Sequence, residues 1–150
     1  MRDGTADALR SAARYAAAVA NVLPRGGTHD LRRRLLAAEE RLVFVVGSPR
    51  SGTTFLAGAI GSVPGFVDLG EVTPLKAAIP QLVELDERDA AVQLRRVLER
   101  VRQLALVRGL RGVEQTPETA FVLGAALQAY PAARALHLVR DGRDVVCSLL

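Results

Sequence analysis

The chain has 150 residues, of which 49% are hydrophobic and 24% charged, a balance that excludes a disordered segment and allows one buried core in a single soluble domain. The formal net charge is +4 and almost wholly arginine, because Lys76 is the sole lysine; with acids interspersed and aromatics at 4%, it argues against a nucleic-acid surface and suits a small anionic ligand. One cysteine, Cys147, excludes an internal disulfide and reads as a small core side chain in a reducing compartment, and no run reaches the ~18 apolar residues of a membrane span.

From Thr5 to Val22 an alanine-rich stretch with Arg10 and Arg14 predicts a surface helix that stops before Pro24, and Pro24 to Gly27 breaks the chain. Ala16 to Leu23 is short and preceded by both acids and arginines, which makes a poor signal peptide, so the chain reads as cytoplasmic. Thr28 or Asp30 caps a second helix expected from Leu31 to about Glu40. Its cluster of Arg32, Arg33 and Arg34 suits either a solvated helix face or an anionic partner, and His29 reads as a polar loop residue. Residues 1–40 are thus expected to form a helical extension ahead of a domain over 41–150.

Leu42 to Val46 contains three valines and a phenylalanine, as a strand covered on both faces of a parallel sheet requires. Gly47 and Gly52 bracket the turn that follows, and Thr53 to about Ser62 predicts a helix closed by Pro64-Gly65. Loop amides and a helix N-terminus would then converge on one point, where partial positive charge favours a phosphate. The spacing Gly47 to Gly52 fits the nucleoside-triphosphate loop GxxxxGK(S/T), except that Thr53 stands where a lysine would reach the β- and γ-phosphates. The cation in this loop is Arg50 instead.

Phe66 to Leu69 is a short apolar piece that delivers Gly70 and Glu71. Read from the residues alone, Glu71 is an acid complementing the N-terminus of a helix over Thr73 to Leu85. Glu87 to Arg108 predicts a packing helix. Leu94, Val97, Leu98, Val101, Leu104 and Ala105 recur there at helical steps, with Arg95, Arg96, Glu99, Arg100 and Arg102 mostly on other faces. Leu110 to Glu114 predicts a short strand, and Glu118 to Gln128 a helix stopped by Tyr130-Pro131. Ala135 to Val139 predicts another strand, with His137 a core or half-buried histidine, leading into a helix that contains Ser148. Read on its own, Arg140 is a strand-end arginine paired with Asp144, and Ser148 is a helix filler.

Two stretches carry a resemblance. PRSGTT directly after a strand of valines, and LVRDGRDVVCSLL with Ser148 eight residues beyond Arg140, resemble the sulfotransferases that use 3′-phosphoadenosine-5′-phosphosulfate (PAPS). The likeness is to the branch that includes bacterial members and protein-tyrosine sulfotransferases, and it covers about Leu42 to Leu150. It implies a P-loop-type three-layer α/β fold with a small parallel sheet flanked by helices. It implies that Arg50, Ser51, Gly52, Thr53 and Thr54 bind the 5′-phosphosulfate, that Arg50 also neutralises charge on the bridging oxygen, and that Arg140 and Ser148 bind the 3′-phosphate. Glu71, in the Gly70-Glu71 pair, is implied as the base for an acceptor hydroxyl, and the chemistry requires no metal.

Where the family carries Glu-Lys-Thr-Pro this chain has Glu114-Gln115-Thr116-Pro117, so Gln115 offers a hydrogen bond to a sulfuryl oxygen but no charge. Chains of the family continue past the arginine-serine pair, so a sequence ending at Leu150 reads as truncated inside a helix, with weak cofactor binding and little turnover expected. The implied partners are the nucleotide cosubstrate and an unidentified hydroxyl acceptor, with no nucleic acid and no stable membrane insertion. The alanine and arginine content suggests a bacterial source. Two other classes stay open: a P-loop kinase, which would want a lysine at residue 53 and a strand-end acid for magnesium, and a non-catalytic nucleotide-binding fragment.

Overall fold

The computed structural model describes residues 3–23 and 38–148. In chain order the elements are α1 (Asp3–Val22), β1 (Val43–Gly47), α2 (Thr53–Gly61), β2 (Phe66–Gly70), α3 (Thr73–Leu82) and α4 (Glu87–Leu104). There follow β3 (Arg111–Glu114), a 3-10 turn (Pro117–Val122) that feeds α5 (Leu123–Ala129), then β4 (Arg134–Leu138) and α6 (Gly142–Cys147). The four strands are all parallel and lie in the order β2-β3-β1-β4, flanked by helices, which is the expected α/β class. β1 is therefore interior, with Phe44 opposite Glu114 on one side and Gly47 opposite Leu138 on the other. Parallel pairing sends the chain out of every strand at the same edge, so the segments after Gly47, Gly70, Glu114 and Leu138 gather there.

Alternation along the strands divides the apolar side chains between two faces. Phe44, Val67 and Leu69 join the larger cluster, which is filled by Ala18 and Val22 of α1, Leu75, Ile79 and Leu82 of α3, and the Leu94, Leu98 and Val101 stripe of α4. Each of those fully buried leucines contributes roughly 2 kcal/mol through loss of water contact. α4 starts where its sequence says it should: the Asp86 carboxylate caps it, accepting from the amides of Arg88 and Asp89 at 3.0 Å each. The opposite face is smaller, with Val45, Val113 and Ala57 of α2 at its centre. There α2 lies against β2 so closely that a Cβ on Gly61 would come within 2.6 Å of Asp68.

The boundaries follow the sequence closely in α1, β1, α2 and β4, and depart from it elsewhere for identifiable reasons. Phe66–Gly70 is a full strand at the sheet edge, although an apolar run this short, interrupted by Asp68, carries no periodicity to announce it. α4 stops at Leu104 rather than Arg108, because Leu106 takes a left-handed backbone (φ 54) and the Val107 amide turns back to the Arg102 carbonyl at 2.9 Å. His137 and Cys147 are exposed rather than packed inside, since β4 is an edge strand and α6 presents no buried residue. The helix expected from Leu31, with Arg32, Arg33 and Arg34, lies outside the described residues, as do His29 and Leu149–Leu150, while residues 38–40 are not helical. No helix among the described residues is long and apolar enough to cross a membrane.

Arg102 departs most from its sequence reading: it is wholly buried. Its guanidinium donates to Glu99 Oε1 at 2.5 Å and to the backbone oxygens of Glu39 and Arg108 at 2.5 and 2.8 Å. Glu99 also accepts from the Tyr130 hydroxyl at 3.0 Å and from Arg108 Nε at 2.9 Å. One buried cation thus ties α4 to the segment entering β1 and to the turn leading to β3. Replacing it without its charge leaves those oxygens unpaired, so Arg102→Met is expected to cost about 3 kcal/mol in urea unfolding. A loss well under 1 kcal/mol would mean that water satisfies the oxygens.

Candidate functional site

The loop between β1 and α2 is built around missing side chains. A Cβ on Gly47 would stand 2.7 Å from the Leu138 carbonyl oxygen and 2.8 Å from Ser51 Oγ, so only glycine lets β1 end this close to β4. Ser51 then folds the loop on itself, its amide and hydroxyl both donating to the Ser48 carbonyl at 3.1 and 2.6 Å. Arg50 (φ 70) and Gly52 (φ 101) adopt left-handed backbones on either side of it. For arginine this costs on the order of 1 kcal/mol, a strain of the kind held at ligand sites. Gly52 is also the N-cap of α2; it supplies no side-chain cap, and the first turn holds no acid. The leading amides of α2 are left for a ligand, and the helix dipole adds positive potential there.

These groups open on a cavity of about 370 Å³, lined by Arg50, Gly52, Thr53, Thr54, Glu71, Arg140 and Ser148, with Pro49, Phe55 and Pro117. Of the residues singled out from the sequence for the site, Ser51 and Gln115 do not line it, and the Ser51 hydroxyl is turned into the loop. Arg50 Nε donates to Ser148 Oγ at 3.0 Å, and Arg140 donates to the Arg50 carbonyl at 3.1 Å. Arg140 lies 3.9 Å from Asp144, a looser contact, so its stronger attachment is to the loop. Ser148 is the C-cap of α6 rather than a residue within it, its amide bonding back to Asp144 and Val145. Gln115 lies buried behind the loop, where its Oε1 accepts from Thr54 Oγ1 at 3.2 Å. It braces the start of α2.

Glu71 leaves the end of β2 beside a left-handed Gly70, and the next amide, that of Val72, donates to Thr116 Oγ1 at 3.0 Å. The Lys76 ammonium lies 2.9 Å from Glu71 Oε2 and 3.2 Å from Glu118 Oε1. Hydrogen bonding to Glu71, and then to Glu118, raises the Lys76 pKa above that of a free lysine. These side chains are partly exposed, so the bridge sets geometry more than stability. Sequence reading did not connect Lys76 to the site; the signal was its position as the sole lysine, five residues past Glu71.

Glu114 was also missed. It ends β3 fully buried, with Oε1 accepting from the Thr116 amide at 2.8 Å and Oε2 from Thr119 Oγ1 at 3.0 Å. Glu114 thereby holds the turn that carries Gln115 and the Thr116 contact to Val72, next to Glu71. Its sequence signal is the spacing of two threonines two and five residues on, which a lone acid at a strand end does not announce. Compared with protein-family models, curated proteins and solved structures, the chain matches none.

Burial pushes the Glu114 carboxyl up to about 7 from an ordinary 4.5, outweighing the hydrogen bonds from Thr116 and Thr119. The folded protein therefore holds this proton more tightly than the unfolded chain does. The stabilisation is complete below pH 4.5 and is lost as pH rises through about 7, a change on the order of 3 kcal/mol. Glu114→Gln keeps the shape without the ionisation. Urea unfolding at about pH 5 and about pH 8 should show the parent losing stability between them and the variant losing much less; equal slopes would contradict the assignment.

Proposed function

We propose that this chain carries the nucleotide-binding part of a sulfuryl-transfer enzyme that takes PAPS as donor and a hydroxyl group as acceptor. The observation that carries the proposal is a single cavity with two corners suited to anions. The uncapped start of α2 and the loop amides form one, Arg140 and Ser148 the other, and Arg50 is attached to both. A nucleotide phosphorylated at both 5′ and 3′ positions uses both corners, whereas one phosphorylated only at 5′ leaves the second idle. The volume of about 370 Å³ suits part of such a ligand, and Phe55, 84% exposed at the rim, offers a ring face to a purine.

In this reading Glu71 takes the proton of the acceptor hydroxyl, the freed oxygen bonds to sulfur, and the bond from sulfur to the bridging phosphate oxygen breaks. The products are a sulfate ester, protonated Glu71 and the 3′,5′-bisphosphate. Lys76 occupies Glu71 Oε2, while Oε1 accepts no hydrogen bond among the described residues and is the oxygen assigned to the proton. The α2 amides and Arg50 hold the charge left on the bridging oxygen. Cys147, exposed and unpaired, fits a reducing compartment such as the cytoplasm.

A kinase-like reading draws on the Gly47–Gly52 spacing. It lacks the loop lysine, and the acid at the end of β3, Glu114, has both oxygens engaged by Thr116 and Thr119. Calorimetric titration separates the two. 3′-Phosphoadenosine-5′-phosphate should bind on the order of tenfold more tightly than adenosine-5′-phosphate, and Arg140→Ala should abolish that margin. ATP bound in preference, with indifference to a 3′-phosphate, overturns the proposal.

A further inference from the structure

A second cavity, of about 540 Å³, adjoins the first and shares Pro49 and Pro117 with it. Its walls are mainly apolar: besides those two prolines they are Val46, Ala120, Phe121 and Leu123. Its polar side chains are Ser48, His137 and Glu118, and Glu118 is the acidic one. Glu118 Oε1 is held by Lys76, whose ammonium also holds Glu71 at 2.9 Å, so one ammonium joins the wall of this cavity to the carboxylate in the neighbouring one. Glu118 Oε2 is buried and has no hydrogen-bond donor among the described residues. One ammonium shared by two carboxylates leaves the group with net negative charge, which disfavours carboxylate and sulfate groups beside it.

We propose that this cavity is the acceptor pocket, and that the acceptor is an uncharged alcohol or phenol with an apolar body. The proposal rests on the sulfuryl-transfer reading of the adjoining cavity. The apolar body lies against Val46, Ala120, Phe121 and Leu123, and its hydroxyl passes the Pro49 and Pro117 rim toward Glu71. A saccharide would bring many hydroxyls into walls with three polar side chains, and each one left unpaired costs about 1–3 kcal/mol. An acidic peptide would set its charge against Glu118. The size is that of a small-molecule site rather than of a docking surface for a folded partner.

The full chain tests this with three probes, 2-naphthol, glucose and a short acidic tyrosine peptide, each titrated with 3′-phosphoadenosine-5′-phosphate present. Saturable binding is expected for 2-naphthol alone. Ala120→Trp, at an exposed position on the 3-10 turn, fills the cavity, and Phe121→Asp puts a charge on its wall. Each should weaken naphthol binding about tenfold or more while changing nucleotide affinity less than about twofold. Nucleotide preference intact with no naphthol binding, or with naphthol binding indifferent to both variants, overturns the acceptor class and leaves sulfuryl transfer standing. Naphthol bound in the cavity with no preference for the 3′-phosphorylated nucleotide overturns sulfuryl transfer, and the acceptor role with it.

Discussion

Arg140 donates to the carbonyl oxygen of Arg50, and Arg50 donates to the hydroxyl of Ser148, two hydrogen bonds that join segments 90 and 98 residues apart. They are possible because β1 and β4 are parallel neighbours with Gly47 opposite Leu138, and because Gly47 has no Cβ to collide with the Leu138 carbonyl. Without that approach the glycine-bracketed loop and the strand-end arginine would be separate surface features. With it they enclose one cavity, and the positive groups on both sides face the same space.

The two edges of the sheet divide the work. Where the strands begin, Arg102, Glu99, Tyr130 and Arg95 form a network in which the Arg95 guanidinium also stands 4.8 Å over the Tyr130 ring. Where the strands end, the chain holds left-handed backbone at Arg50, Gly52 and Gly70 and an exposed Phe55. Strain and exposure of that kind persist because the rest of the domain, α4 above all, is packed well enough to hold them. Glu114 connects the two regimes: a buried carboxyl, held by two threonines, fixes the turn from which Gln115 braces α2 and Thr116 steadies the segment at Glu71.

How far the sequence can be read depends on the range of the physics involved. The strand of valines, the glycine spacing and the α4 stripe are local patterns, and they appear in the structure nearly where periodicity puts them. β2 was invisible as a strand because its partner, β3, lies more than forty residues on and supplies the pairing that its own composition does not. Arg102 read as a surface residue for a similar reason, since the backbone oxygens that make its burial tolerable come from other parts of the chain. Lys76 joins the site through side-chain geometry alone.

By itself the sequence determined an α/β domain, a glycine-bracketed loop with Thr53 where the GxxxxGK(S/T) pattern has a lysine, and an arginine after the last strand with a serine eight residues on, because these rest on short-range rules of periodicity, turn chemistry and spacing. The tertiary structure decided that Arg50, Glu71, Arg140 and Ser148 line one cavity, and that Gln115 faces Thr54 from behind. It also decided that an apolar cavity adjoins the first across Pro49 and Pro117. Strand order and close backbone approach set those relations, and neither is written in any single stretch of residues.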